Sequence, residues 1–231
     1  MQRVVLPEWL DTLPPDDPRA RRSRADLRRI NRITAALRTL VRACDRVAGE
    51  RRPTQIVELG AGDGHLMRRL ARQRAAHWPA LHVSLLDLQP TVAPATQALI
   101  EASGWTVEVI RADVFAWLER VPADAIVIAN LFVHHFDAAQ IARLFAAIAE
   151  RAFAFIACEP RRSGLSLLGS RCLGLLGCND VTRHDAAVSV RAGFRDRELS
   201  AAWPRTTGWT LDERSAGCFL HRFVAMRRGA V

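Results

Sequence analysis

The 231 residues predict an α/β protein: a mostly parallel, seven-stranded sheet with helices on both faces and an antiparallel pair at its end. Three observations lead there. Residues 54–59 form a short apolar run that breaks at Gly60-Ala61-Gly62-Asp63-Gly64 and feeds a helical pattern through Leu66 and Leu70. Apolar strand-like runs then alternate with helical stretches as far as Cys158, as parallel strands joined by crossover helices do. Finally, 209–213 and 219–226 read as two strands joined tightly through Gly217.

The first strand and its turn organise the rest. A strand that ends in a glycine-rich turn and enters a helix is a nucleotide-binding βα unit. Glycine permits the turn's backbone angles and a close approach of backbone to ligand. The spacing is G-x-G-x-G rather than the dinucleotide G-x-G-x-x-G, and Glu58 precedes Gly60 by two residues. An acid there suits a cationic ligand.

The second strand, 81–87, ends in Asp87, 23 positions after Gly64. An acid at that tip can accept hydrogen bonds from both hydroxyls of a ribose. Residues 91–103 read as helix and Gly104 stops it; 105–110 is the third strand. Asp113 follows as an N-cap for a helix over 114–120. Residues 123–132 are nearly all apolar, as a central parallel strand should be, and they run into Val133-His134-His135-Phe136-Asp137. Asp137 starts a helix to about Arg151, with Ile141, Leu144, Phe145 and Ile148 on one face. The fifth strand, 153–158, leads to Glu159, an acid at the sheet end that is placed to orient a neighbour.

The flanks divide the chain into 1–52, an arm and a helix, and 53–231, the sheet domain, with an insertion at about 163–192. Residues 1–24 are rich in Pro, Asp and Arg. The breaker cluster 13–18 suggests an extended, partly ordered arm. From Asp26, Leu27, Ile30, Leu37, Leu40 and Val41 repeat at helical spacing, predicting one amphipathic helix over 26–48 that ends near Gly49, with Arg52-Pro53 leading into the first strand. Residues 165–178 are small and apolar and predict a helical lid over an apolar or aromatic substrate. A membrane-surface helix is the alternative, with only Arg171 for charge. Asp185 is placed to cap a helix through Val188 and Val190.

Composition limits the class of function. The net charge is +9, yet all 33 basic residues are arginine and tyrosine is absent, a pattern of GC-rich coding bias. Part of the basic balance is therefore style, which weakens a nucleic-acid reading. Five cysteines without C-x-x-C predict reduced core thiols in a cytoplasmic protein rather than a disulfide framework or zinc site. Neither a signal-peptide pattern nor an apolar run of about 18 residues occurs in the sequence. No metal-ligand spacing stands out, and the oligomeric state stays open.

Taken together, Glu58-x-Gly60-x-Gly62-x-Gly64, Asp87 and Asp113-Val114 resemble, in order and register over about 53–227, the motifs of class I S-adenosylmethionine (SAM) dependent methyltransferases. The resemblance implies their Rossmann-like fold, SAM as cofactor and S-adenosylhomocysteine (SAH) as product. It implies cofactor contacts from Glu58, Gly60, Ala61, Gly62, Gly64 and Asp87, with Leu88 packed on the adenine. Asp113 would meet the adenine amino group, the Val114 N–H the ring, and Asn130 the strand end facing the methyl group. The helix over 26–48 would lid the cofactor, with Asn31 or Arg32 near its carboxylate. Residues 7–11 and 181–185 add a likeness to bacterial methyltransferases of polyketide and pigment pathways, implying a small aromatic or polyketide-like acceptor methylated at a hydroxyl. Such a hydroxyl needs a base, since an unperturbed phenol has a pKa of about 10. His135 and His184 are the candidates. Rival readings are an RNA or protein methyltransferase using the basic N-terminal region, against which the absence of N-P-P-Y counts, and a non-catalytic SAM-fold partner protein, which the intact glycine motif disfavours.

Overall fold

The computed structural model describes residues 1–14, 16–49 and 53–228. The expected division at residue 52, Arg52 of the strand approach, Pro15 of the breaker cluster and residues 229–231 lie outside the described residues.

The strands are β1 (Gln55–Leu59), β2 (His82–Asp87), β3 (Thr106–Arg111), β4 (Ile126–Asn130), β5 (Ala154–Pro160), β6 (Trp209–Ala216) and β7 (Leu220–Arg227). They form one sheet in the order β3-β2-β1-β4-β5-β7-β6. The first five are parallel, and β7 pairs antiparallel with both β5 and β6. This is the expected sheet and hairpin. Strand order reverses between β1 and β4, so a crevice opens at their carboxyl ends, where open α/β sheets bind ligands.

Helices α1 (Trp9–Thr12), α2 (Pro18–Ile33) and α3 (Ala36–Ala48) precede the sheet. Then come α4 (His65–Arg74), α5 (Pro94–Glu101), α6 (Val114–Trp117), α7 (Ala138–Arg151), α8 (Gly164–Arg171), α9 (Asp180–Ala192) and α10 (Glu198–Ala202). One core covers one sheet face, with Leu40, Val41, Cys44 and Val47 of α3 and Met67 and Leu70 of α4 over Ile56, Val83 and Ile156. The other sets Leu144, Phe145 and Ile148 of α7 and Trp203 against Val57, Phe155 and Phe223. Alternate residues of β1, β4 and β5 serve the two cores, so these strands are apolar throughout. The α7 start is a full capping box: Asp137 accepts from Gln140 N, and the Gln140 side chain returns to Asp137 N.

Four local expectations are corrected, the last of them in part. The helix over 26–48 is two helices, broken at Thr34 and Ala35, where Ala35 takes a left-handed φ of 59°. Only α2 lies over the cavity, whereas α3 belongs to the core. The arm is helical from Pro18, because Asp17-Pro18 is an N-cap followed by proline in the first turn, with the Asp17 side chain accepting from Arg19 N. Asp185 does not cap α9, which starts earlier, capped by Asn179 onto Thr182 N; it sits mid-helix and its carboxylate instead accepts from the first turn of α1. Of the five free cysteines, Cys44, Cys158 and Cys178 are buried as expected of core thiols, but Cys172 and Cys218 are exposed.

Candidate active site

The glycine turn after β1 is tied to the tip of β2. Gly60 N and Ala61 N both donate to Leu86 O, at 2.9 and 3.0 Å. Gly62 N donates to Asp87 Oδ2 at 2.8 Å, and Gln89 N to Asp87 Oδ1 at 2.8 Å, so one carboxylate fixes both loops. Gly60 and Gly62 have φ of 69° and 54°, the region in which a side chain is strained. A Cβ at Gly60 would stand 2.3 Å from the Phe132 ring, whereas one at Gly62 would meet no protein atom within 4 Å. Gly62 faces open space.

That space is a cavity of about 630 Å³. Gly60, Gly62, Asp87, Leu88, Asp113, Val114 and His135 line it; Glu58, Ala61, Gly64, Asn130 and His184 do not. Asp113 caps α6 through Oδ1, which accepts from Phe115 N and Ala116 N, so Oδ2 is outside the cap. Gly64 is the N-cap residue of α4. Asn31 on α2 lines the cavity, and Arg32 does not. Arg28 on α2 bonds Asp63 of the glycine turn at 2.7 Å, which holds α2 over the crevice.

Several buried acceptors around the turn lack a donor: Glu58 Oε2, Asn130 Oδ1, Asn31 Oδ1 and Thr91 Oγ1. Burial pushes the Glu58 carboxyl well above its usual range, and the charges of Asp63 and Asp87 push it further. An unsatisfied buried acceptor costs about 1–3 kcal/mol. These acceptors suit a ligand that brings positive charge and N–H or O–H donors.

The end of β4 carries a second constellation. Glu159, fully buried at the end of β5, accepts from Phe132 N and Val133 N through Oε1, and from His134 N and His134 Nδ1 through Oε2. The other ring nitrogen of His134 lies 3.3 Å from Glu8 Oε1, and Ser189 Oγ also donates to Glu8. Burial by itself would lower the His134 pKa; the hydrogen bonds and charges of Glu159 and Glu8 outweigh it and push it up to about 9. His134 is therefore an imidazolium at neutral pH. Burial acts to raise the Glu8 carboxyl, but the bonds and charge of His134 hold it below its usual value. His135 is half-buried, with Nδ1 3.4 Å from Asp11 Oδ2. Glu8, His134 and His135 each offer a ligand atom within 4.8 Å of the others, a cluster that sequence spacing could not suggest because Glu8 is 126 residues from His134. In the structure both His134 nitrogens face carboxylates.

The N-terminal segment that delivers Glu8 is pinned across the site. Arg3 donates to Ala192 O, His134 O and Phe136 O. Asp185 accepts from Trp9 N and Leu10 N, and His184 stacks on Trp9 at 3.9 Å while its Nδ1 lies 2.8 Å from Asp185 Oδ1. His184, expected at the pocket, instead helps hold this strap. Sequence reasoning missed Glu8, Asp11 and Arg3. The only signal was the acid and tryptophan of 7–11, which no periodicity connects to the sheet.

The fold is that of the Rossmann-like methyltransferases. Residues 56–152 match the family described as Methyltransferase domain. Among solved structures, the chain is similar to the plantazolicin methyltransferase BpumL in complex with SAH, at 12% identity and TM-score 0.63 over 92% of each chain. It is similar to an O-methyltransferase family protein from Burkholderia thailandensis, at 19% identity and TM-score 0.60, over 94% of this chain and 62% of that one. It also resembles the plantazolicin methyltransferase BamL in complex with a triazolic desmethylPZN analog and SAH, at 11% identity and TM-score 0.66 over 95% and 93%. No curated protein matches by sequence. Residues 56–152 thus match a methyltransferase family within a chain that has the methyltransferase fold.

Proposed function

We propose that the protein binds SAM in the crevice after β1 and transfers its methyl group to a hydroxyl of a small, aromatic or polyketide-like acceptor. The observation that carries this reading is the set of donorless buried acceptors, Glu58 Oε2, Asn130 Oδ1 and Asn31 Oδ1, around a glycine turn whose Gly62 faces open cavity. SAM, when bound, supplies an activated methyl on a sulfonium, so alignment provides much of the rate.

The chain's own residues then divide the work. Glu58, with Asn31 and Asn130, answers the positive charge and ammonium donors of the cofactor. Asp87 accepts from the ribose hydroxyls, Leu88 packs on the adenine, and Asp113 with the Val114 N–H reads its edge. Gly60, Ala61 and Gly64 shape the turn. His135 takes the acceptor's hydroxyl proton on a ring nitrogen, with Asp11 beside it. His134 cannot do so near neutral pH because it already holds a proton between Glu8 and Glu159. His184 has no place in this scheme, since its ring stacks on Trp9 and its Nδ1 faces Asp185. The enzyme is read as cytoplasmic, in keeping with its five free cysteines; among the described residues no helix is long and apolar enough to cross a membrane.

Calorimetric titration of the purified protein with SAH tests the cofactor half. One site per chain is expected, and no heat of binding would sink the reading.

A further inference from the structure

The cavity wall carries polar groups, among them Glu8, Asp87, His134 and His135, and a set of aliphatic ones, Leu10, Leu27, Ile30, Leu173 and Val190. Its apolar lining reaches the surface, because Ile33, Leu176 and Phe219 both line the cavity and are exposed, by 60%, 50% and 38%. Around this mouth stand more exposed leucines: Leu165, Leu168 and, at 89%, Leu175. They lie on α8 and on the short 3-10 segment Cys172–Leu176 that follows it. Isolated exposed leucines need no explanation, but a cluster continuous with a cavity does.

The charge along the patch is mainly positive. From residue 160 to 179 the sequence contains no acid, and the exposed Asp180 follows at the start of α9. Arg171 ends α8 and is exposed. Arg22 reaches over to Gly177 O, and the Arg183 guanidinium lies beside Gly174. Leucines on a short helical hump flanked by arginines have the make-up of a segment that inserts at an anionic membrane surface. A protein partner fits less well, since protein hot spots favour Trp and Tyr over Leu, and these exposed positions carry neither.

We propose that the mouth formed by α8 and Cys172–Leu176 docks on an anionic lipid surface, and that the acceptor is an amphiphile drawn from it, its hydroxyl-bearing head at His135 and its aliphatic tail along Leu27, Ile30 and Leu173. The docking half stands on the exposed patch alone; the tail half rests on the methyltransferase reading. Tail burial supplies binding that needs no directional groups, in keeping with a lid side lined by aliphatic carbon.

Vesicle flotation tests the docking. The wild-type protein should float with phosphatidylglycerol/phosphatidylcholine vesicles and much less with phosphatidylcholine alone. The double variant Leu168→Ser/Leu175→Ser, at exposed positions outside the cavity wall, should lose about tenfold or more in partition, from the apolar area withdrawn. Arg171→Gln should lose about fivefold, one cation's attraction to an anionic surface. Wild-type protein that stays down with mixed vesicles, or a double variant that floats like wild type, overturns the docking. For the tail, the probes are 4-alkylphenols titrated into the SAH-saturated protein. Affinity should tighten by about fourfold per added CH₂ until the cavity is filled, and a flat series overturns it. Calorimetry with SAH reports separately on the methyltransferase reading: SAH binding without flotation defeats the docking alone, and flotation without SAH binding defeats the cofactor reading alone.

Discussion

His134 Nδ1 lies 2.8 Å from Oε2 of Glu159, the same carboxylate that receives the backbone N–H groups of Phe132 and Val133. A single buried acid at the end of β5 thereby sets the turn after β4 and the orientation and charge of the histidine within it. Glu8 closes the other side, so the N-terminal strap is held to the sheet by an ion triad.

This triad makes stability depend on pH. The folded pKa of His134, about 9, lies above its ordinary 6.5, so protonated His134 favours the folded state. That contribution is complete below about pH 6.5 and is lost as pH rises through about 9. Glu8 is shifted down, so its contribution is present above its ordinary 4.5 and fades on acidification. Denaturant melts of the wild type should weaken steadily between these two histidine values, and His134→Gln should be less stable at neutral pH with a flatter alkaline limb. Parallel alkaline slopes in the two proteins would show that His134 is not charged in the fold.

Gly60 and Gly62 should respond differently to the same substitution. Gly60→Ala drives a Cβ into the Phe132 ring and should lose both stability and SAH binding. Gly62→Ala touches no protein atom; left-handed strain should cost about 1–2 kcal/mol while the fold survives. Its Cβ nonetheless enters the ligand's space, so SAH affinity should fall sharply, and Gly62→Val should abolish it. Melting temperatures and calorimetry on the set decide this. Wild-type affinity in a folded Gly62→Val would place the cofactor elsewhere.

Asp87→Ala removes the acceptor for Gly62 N and Gln89 N together with the proposed ribose contact. SAH affinity should weaken by about 1.5–3 kcal/mol, the range for hydrogen bonds to a charged group. Asp87→Asn separates charge from shape, and it should recover part of the loss. Equal affinity across all three proteins would remove Asp87 from the site.

The sheet was legible because its signals are local. A glycine turn after an apolar run, Asp87 at the next strand tip and the Asp137 capping box each sit within one βα unit, and a period of two or 3.6 reveals them. The acceptor side was not, because its parts meet only in three dimensions. Glu8 reaches His134 from 126 residues away in the chain, and His184 stacks on Trp9 and does not line the cavity. The helix over 26–48 was misjudged for a different reason. Its apolar repeat continues through residues 34 and 35, and nothing in Thr34-Ala35 announces a left-handed alanine, since tertiary packing on two different surfaces imposes that break.

The two histidines first chosen as bases now separate. His135 lines the cavity with a carboxylate of Asp11 at 3.4 Å, an arrangement in which a neutral imidazole can take a proton and hold the resulting charge. With an alkylphenol or other hydroxyl acceptor, His135→Gln should lower kcat by about 10²–10⁴-fold while SAM affinity stays nearly unchanged. Asp11→Asn should cost less, since it removes only the neighbour that stabilises the imidazolium. His184→Gln should do the opposite of His135→Gln: the stack on Trp9 and the bond to Asp185 are lost, so the melting temperature falls and the strap loosens, with kcat reduced less than in His135→Gln. Measuring kcat, SAM affinity and melting temperature on the three variants gives each residue its own signature. If His135→Gln keeps wild-type kcat from neutral to mildly alkaline pH, no side-chain base operates there, and methyl transfer depends on alignment alone or goes to an atom other than a hydroxyl oxygen.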